Sequence, residues 1–137
     1  MSDGRCINAT GETILVYGPK SATTPQDKDN ALYRLPSSRK TPDGWDCDGI
    51  YVPNDRTADQ LLGSDIAGPV AIKYVGLLSF EIERDGTKYK LPGNQGAFRP
   101  SETCCPSDFP NCVCWEIPDR SHEEFAGYPE VPGHLPA

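Results

Sequence analysis

The chain has 137 residues, with 13 basic and 20 acidic side chains, a formal net charge of −7 and a sequence pI of about 4.7. This length fits one domain, and the acidic excess argues against nucleic acid as a partner, because phosphate binding needs an excess of lysine and arginine. No run of residues approaches the roughly 20 apolar side chains of a membrane span, and 13 glycines with 14 prolines argue against long helices.

The N-terminal half of the sequence predicts short strands separated by turns. The first strand signal is the apolar run 12–17, which Gly18 and Pro19 end. Brief strands are also predicted over 31–35 and 49–52, each next to proline or glycine.

Two segments of this half carry weak helix signals. Thr24 followed by Pro25 is typical of a helix start, although a plain loop explains the same residues. Asp55 is a candidate N-cap for a short helix over 56–62, which Gly63 would end.

The centre of the chain has the clearest strand pattern. Residues 70–78 are rich in apolar and β-branched side chains, as in a strand buried within a sheet. The alternating run 80–91 contains Asp85-Gly86, a strong two-residue hairpin signal. This turn predicts that Glu83 faces Lys88, and that Phe80, Ile82, Tyr89 and Leu91 share one face of the hairpin.

The C-terminal part predicts a last strand, a short helix and a tail. The strand covers 111–117, and residues 121–124 have the form of a capping box that opens a helix ending near Ala126. We expect the proline-rich tail, 128–137, to be extended or frayed, and the β-rich domain to cover 1–127. These elements suit a small antiparallel β-sandwich or partly open barrel with one or two short helical turns and long loops.

Six cysteines in a short, proline-rich chain indicate a disulfide framework, and hence secretion or a periplasmic location. The start of the sequence lacks the apolar run of a signal peptide, so a cytoplasmic protein with reduced thiols stays open. Asn8-Ala9-Thr10 matches a glycosylation sequon, a short pattern that also arises by chance.

Four of the cysteines fall within residues 104–114, where a zinc site is the competing interpretation. Their spacing and the alternation of side chains along strands favour a disulfide between Cys105 and Cys112 at the base of a hairpin. Cys104 and Cys114 would then pair with Cys6 and Cys47, in an order that the sequence leaves open.

The densest polar cluster lies over residues 43–55. Alternate carboxylates beside glycines are typical of calcium-binding loops, but an EF-hand is excluded because Gly44 occupies its first ligand position. A looser calcium site, a sugar-binding patch and an ordinary Asx-rich turn stay open. The calcium hypothesis uses Asp43, Asp46, Asp48 and Asp55, and the binding hypothesis uses Trp45, Asp46, Asp48 and Tyr51.

A second candidate contact surface is the tip of the predicted Cys105–Cys112 loop. The tip carries Asp108 and Phe109 between two prolines. A stiff, exposed loop of this kind loses little entropy when it binds, although a structural staple in a small domain explains the same pattern.

Enzyme signatures are scarce. The only histidines are His122 and His134, and neither is predicted to have the buried, oriented setting of a general base. The sequence therefore favours a non-enzymatic, disulfide-stapled binding domain that is exported and engages a protein or glycan through its loops. The alternatives are an acidic inhibitor or immunity-type protein that neutralises a toxin or hydrolase, and a small carboxylate-dependent hydrolase. No cofactor is expected apart from the calcium already considered.

Overall fold

The computed structural model describes residues 4–19, 30–59, 65–74, 79–91, 95–100 and 117–137. These residues form two β-sheets without an α-helix. The predicted β-sandwich is confirmed, and the described part of the chain is mainly β with almost no helix. The strands are β1 (Arg5–Ala9), β2 (Ile14–Pro19), β3 (Asn30–Leu35), β4 (Arg39–Lys40), β5 (Gly49–Val52), β6 (Thr57–Ala58), β7 (Ile66–Ala67), β8 (Val70–Tyr74), β9 (Ser79–Asp85), β10 (Lys88–Lys90), β11 (Gln95–Phe98) and β12 (Leu135–Pro136).

The two sheets differ in size and in strand direction. Sheet A has the order β12-β4-β1-β9-β10-β6-β7, and sheet B has the order β11-β8-β5-β2-β3. Sheet B is antiparallel in all its described pairs. Sheet A is mainly antiparallel, but β1 with β9 and β6 with β10 are parallel pairs. Among the described residues neither sheet closes on itself, so the architecture is the sandwich and not a closed barrel.

Sheet B is buried on both faces. Along β2, Ile14 and Val16 point into the core between the sheets, while Leu15 and Tyr17 point to the outer face and are also fully buried. In β9 of sheet A, by contrast, buried Ile82 alternates with exposed glutamates. A continuous apolar run indicates a strand covered on both sides, and strict alternation indicates one covered side.

The cover on the outer face of sheet B is the C-terminal segment 117–137, which we call the strap. Ile117, Phe125 and Tyr128 of the strap pack against that face. Farther along, the Arg34 N–H donates to the Pro129 carbonyl at 2.7 Å, and the Val131 N–H donates to the Arg34 carbonyl at 2.9 Å. The tail predicted over 128–137 is therefore extended and hydrogen-bonded to the edge strand β3.

The central hairpin forms, but its predicted register is wrong. Asp85 faces Lys88 and Glu83 faces Lys90, so the loop residues are Gly86 and Thr87. Gly86 has φ = 64°, as the first loop position of a type II′ turn requires. The register differs by two positions, an even number, so the predicted buried face is preserved: Phe80, Ile82 and Tyr89 are all buried.

The helices predicted over 56–62 and 121–126 do not form in the residues that the structure describes, 56–59 and 121–126, because tertiary hydrogen bonds replace them. Residues 60–62 lie outside the described residues. Residues 56–59 run beside the hairpin, where the Thr57 N–H donates to the Thr87 carbonyl at 2.9 Å and part of the segment forms β6. The capping-box contact does form, since the Ser121 N–H donates to Glu124 Oε1 at 2.8 Å, but no helix follows it. Helices of one or two turns have little stability of their own and give way to such contacts.

The other strand predictions fare better. Strands β3 and β5 match 31–35 and 49–52, and β8 confirms the first part of 70–78. The helix signal at 24–27 and the strand predicted over 111–116 lie outside the described residues. Sequence patterns did not reveal β1, β4, β6, β7, β11 or β12, all of which have only two to five residues.

In the described ranges, no helix is long and apolar enough to cross a membrane.

Candidate functional site

The loop 41–48, which we call the aspartate loop, connects sheet A to sheet B and is fixed at several points. A disulfide joins Cys47 to Cys6 of β1, with 5.9 Å between their Cα atoms. The Cys47 N–H donates to the Gly4 carbonyl at 2.9 Å, and the Asp48 N–H donates to the Tyr17 carbonyl at 2.8 Å. The disulfide therefore ties strand β1 to the segment that enters strand β5.

This pairing corrects one prediction about the cysteines. Cys6 and Cys47 bind each other and not Cys104 and Cys114. The sequence leaves 41 positions between them, and only the packing of the two sheets brings them together. Cys105, Cys112, Asp108 and Phe109 lie outside the described residues, as do Cys104 and Cys114, so the stapled loop stays a prediction.

Trp45 is the aromatic centre of the aspartate loop. Its ring meets that of Tyr33 edge to face, with centroids 5.1 Å apart and planes at 82°. It also packs on Gly18, where a Cβ atom would lie 2.4 Å from the indole. The ring is half-buried against the core, so Trp45 both supports the loop and leaves part of its surface exposed.

The three carboxylates of the aspartate loop have different surroundings. Asp43 lies at the tip, where its side chain is 86% exposed and forms an ion pair with Arg5. Asp46 is half-buried, and its Oδ1 accepts the Gly4 N–H at 3.0 Å. Asp48 is also half-buried. Only Asp43 is a fully exposed charge.

The carboxylates of the calcium hypothesis do not converge. Asp46 and Asp48 precede β5, whereas Asp55 follows it, so a four-residue strand separates them by roughly 13 Å at 3.3 Å per residue. The described residues contain no group of three acidic, histidine or cysteine side chains arranged to bind a metal. Tyr51, the second proposed sugar platform, is fully buried.

Tyr51 instead connects sheet B to the strap. Its hydroxyl donates to the Pro118 carbonyl at 2.5 Å and accepts the Arg120 N–H at 3.0 Å. Its ring contacts that of Phe125 edge to face. Burial raises the pKa of Tyr51 to about 12.

A second polar cluster lies where the two sheets meet, around Glu12. Arg56 donates to its carboxylate through Nε at 3.1 Å and Nη2 at 2.8 Å, Tyr89 donates through its hydroxyl at 2.9 Å, and Arg84 lies 3.3 Å away. Burial raises the pKa of Glu12, but the hydrogen bonds from Arg56 and Tyr89 and the charges of the two arginines together lower it. The cluster therefore connects the β1–β2 turn to Arg56 and to residues of sheet A through hydrogen bonds and ion pairs to one carboxylate.

The same end of the molecule contains a pair between Asp55 and His122. The ring Nδ1 of His122 lies 2.5 Å from Asp55 Oδ2, and the His122 backbone N–H donates to Oδ1 at 3.0 Å. The sequence led us to expect that neither histidine has the buried, oriented setting of a general base. In the structure Asp55 orients His122, whose side chain is 26% exposed. Burial raises the pKa of Asp55, but the two hydrogen bonds from His122 and the positive charges of His122 and Arg56 lower it.

The side chain of Asn8, the first residue of the sequon, makes hydrogen bonds inside the fold. Asn8 is fully buried, its amide donates to the carbonyls of Glu12 and Leu35 at 2.8 Å each, and its Oδ1 accepts the Thr10 hydroxyl at 2.7 Å. Both amide hydrogens are used inside the fold, so Asn8 is a structural residue.

The clusters around Glu12 and Asp55 escaped sequence reasoning. Glu12 lies 44 positions from Arg56 and 77 from Tyr89, and Asp55 lies 67 from His122. The one usable signal was the capping-box pattern, which marked the turn that carries His122.

No protein-family model matches this chain, and neither the curated proteins nor the solved structures contain a significant match. The assignment of a function therefore depends on the chemistry of the described residues.

Proposed function

We propose that the protein is a non-enzymatic binding domain whose aspartate loop, 41–48, contacts a basic surface of a protein partner. The observation that carries this proposal is that an exposed acidic tip is held in place by a disulfide, by two backbone hydrogen bonds, by the bond from the Gly4 N–H to Asp46 and by the packing of Trp45. A loop that is ordered before binding loses little conformational entropy in a complex.

The chemistry of the loop supports a cationic contact. Asp43 presents an exposed carboxylate, and half-buried Trp45 presents indole surface a few residues away. A lysine or arginine can interact with a carboxylate and with an aromatic face together. The ion pair between Asp43 and Arg5 is exposed on the Asp43 side, and such pairs contribute only about 0–1 kcal/mol, so a partner's cation can replace Arg5.

The overall charge supports the same class of partner. A net charge of −7 on 137 residues steers basic surfaces toward the protein and speeds encounter. An acidic inhibitor of a cationic toxin or hydrolase is a special case of this proposal, distinguished by loss of the partner's activity on binding.

A carboxylate-dependent hydrolase receives less support. A general acid that acts near neutral pH needs a raised pKa, whereas His122 and Arg56 lower the pKa of Asp55. The candidate carboxylates also lie at opposite ends of β5.

Export into an oxidising compartment is part of the proposal, supported by the buried Cys6–Cys47 disulfide. Purification without reductant followed by thiol counting tests it. We expect at most four reactive thiols among the six cysteines, and six reactive thiols would contradict the proposal.

The binding proposal is tested by titrating the protein with a lysine- and arginine-rich peptide and with neutral oligosaccharides. We expect the peptide alone to shift the backbone amide resonances of 41–48. The matched variants are Asp43→Asn and Glu81→Gln, because each removes one exposed carboxylate, from the loop and from β9.

Asp43→Asn should weaken peptide binding by about three- to ten-fold, the range of one charge-assisted contact, and Glu81→Gln should leave it nearly unchanged. Equal effects of the two variants, resonance shifts confined to β9 and β10, or binding of the oligosaccharide alone would each overturn the proposal.

A further inference from the structure

Asp43, at the tip of the aspartate loop, already binds a guanidinium group within the chain itself. Its Oδ1 atom forms an ion pair with Nη2 of Arg5 in β1. The Asp43 side chain is 86% exposed and that of Arg5 is 26% exposed, so most of the carboxylate surface stays accessible while Arg5 contacts it. The pair shows which kind of cation this carboxylate accepts.

The backbone fixes Arg5 beside the loop without help from this ion pair. Arg5 faces Ser79 of β9 in the parallel ladder of sheet A. The next residue, Cys6, forms the disulfide that anchors the loop, and its carbonyl accepts the Thr41 N–H at 3.0 Å. Arg5 and Asp43 therefore belong to segments that other contacts hold in place, and their side chains can separate while the fold is kept.

An aromatic side chain lies on the same short turn as the carboxylate. The Trp45 N–H donates to the Pro42 carbonyl at 3.3 Å, and Gly44 has φ = 78°, as the third residue of a type II turn requires. Asp43 is the second residue of this turn, and Trp45, which is half-buried, is the last. A guanidinium is planar and combines bonds to a carboxylate with stacking on an aromatic ring, whereas an ammonium is a compact, strongly hydrated charge.

From these contacts we propose that the cation bound by the aspartate loop is an arginine of the partner, and that Arg5 is an internal competitor for the same carboxylate. The inference rests on the proposed function, and it names the chemistry and the regulation of that contact. A guanidinium that binds bidentately uses both carboxylate oxygens, so the partner's arginine displaces Arg5 from Oδ1 of Asp43. Because an exposed ion pair is weak, Arg5 lowers the apparent affinity for the partner without preventing binding.

Two peptides of equal length and equal net charge test the choice of cation in the wild-type protein. One contains arginine as its only basic residue type, and the other contains lysine at the same positions. We expect the arginine peptide to bind about two- to five-fold more tightly, the range of one exposed contact between a cation and an aromatic ring. Equal affinities, or tighter binding of the lysine peptide, would overturn the inference.

A matched pair of variants tests the competition. Arg5→Gln and Lys90→Gln each remove one positive charge, the first beside Asp43 and the second on the exposed face of β10. Arg5→Gln should tighten binding of the arginine peptide by about two- to five-fold, because Asp43 then lacks its internal partner, and Lys90→Gln should change the affinity much less. When Asp43→Asn is also present, the difference between the two substitutions should vanish.

The results distinguish a failure of this inference from a failure of the proposed function. If Asp43→Asn weakens peptide binding but Arg5→Gln and Lys90→Gln have equal effects, the proposed function stands and the competition is refuted. If neither peptide binds, or if Asp43→Asn binds as the wild type does, both are overturned. Exchange protection of the Asp48 amide, which donates to the Tyr17 carbonyl, shows that each variant keeps the loop folded.

Discussion

The outer face of sheet B is covered by the strap, whereas the outer face of sheet A is exposed to solvent. Sheet B carries Leu15 and Tyr17 on its outer face and buries them under the strap, whereas the corresponding face of sheet A carries the exposed residues Glu81, Glu83 and Lys90. Leu15 and Tyr17 therefore depend for their cover on a segment that begins 100 positions after Tyr17, and among the described residues the exposed face of β9 has no such cover. Strands whose sequence is apolar on both faces need a cover on each face. In this protein the second cover is the strap, most of which forms no strand.

The largest expected effect comes from removing an apolar side chain under the strap. Leu15→Ala should lower the free energy of unfolding by about 2–5 kcal/mol, because Leu15 is fully buried and its loss leaves a cavity. Urea denaturation measures the change. Glu81→Ala on the open face should change stability by no more than about 0.5 kcal/mol, and equal losses in the two variants would remove the contrast between the faces.

An intermediate effect is expected at the joint between the sheets. Glu12→Gln should lower the free energy of unfolding at pH 7 by about 1–3 kcal/mol, because Arg56, whose side chain is 9% exposed, loses the nearer of its two carboxylate partners and keeps only Asp55, 3.7 Å away.

The pH dependence of this variant has a definite sign. The pKa of Glu12 is lowered below its ordinary value in the folded protein, so its contribution to stability is present above the ordinary pKa and is lost as the pH falls through the folded pKa. Stability measured from pH 7 to pH 2 should therefore decline less steeply in Glu12→Gln than in the wild type. An unchanged slope would contradict the role of Glu12, and Glu83→Gln on the exposed face is the matched control.

The smallest effect is expected in the hairpin of the open sheet. Gly86→Ala should cost about 1 kcal/mol, because φ = 64° is unfavourable for a residue with a Cβ atom. No heavy atom lies within 4 Å of the added Cβ, so the cost comes from the backbone alone. Thr87→Ala should be nearly neutral, and a loss in that variant as large as in Gly86→Ala would contradict the type II′ turn.

Local patterns predicted those parts of the fold that local interactions decide. The apolar runs of β2, β5 and β8 and the alternation in β9 were readable, because burial on one or two faces leaves a period in the sequence. The register of the hairpin could not be predicted in this way. Asp85-Gly86 fits the sequence preference of a type I′ turn, whereas Gly86-Thr87 fits a type II′ turn, which needs a positive φ at Gly86 only.

The candidate sites were predicted less well than the fold. The composition of the aspartate loop marked Asp43 and Trp45 correctly as neighbours at a turn, but Tyr51 follows within β5 and points into a buried layer. Its neighbours in sequence could not show this, because the layer that buries it is formed by Phe125 and other strap residues.

By itself, the sequence determined a small, acidic, β-rich protein with buried central strands and polar, cysteine-bearing turns, because composition and period express burial directly. Only the tertiary structure decided that Cys6 binds Cys47, that Glu12 joins two arginines and a tyrosine, and that Asp55 orients His122. Each of these contacts links residues more than 40 positions apart. Such pairs arise from the packing of the two sheets and the strap, and the spacing of apolar residues along the sequence does not indicate them.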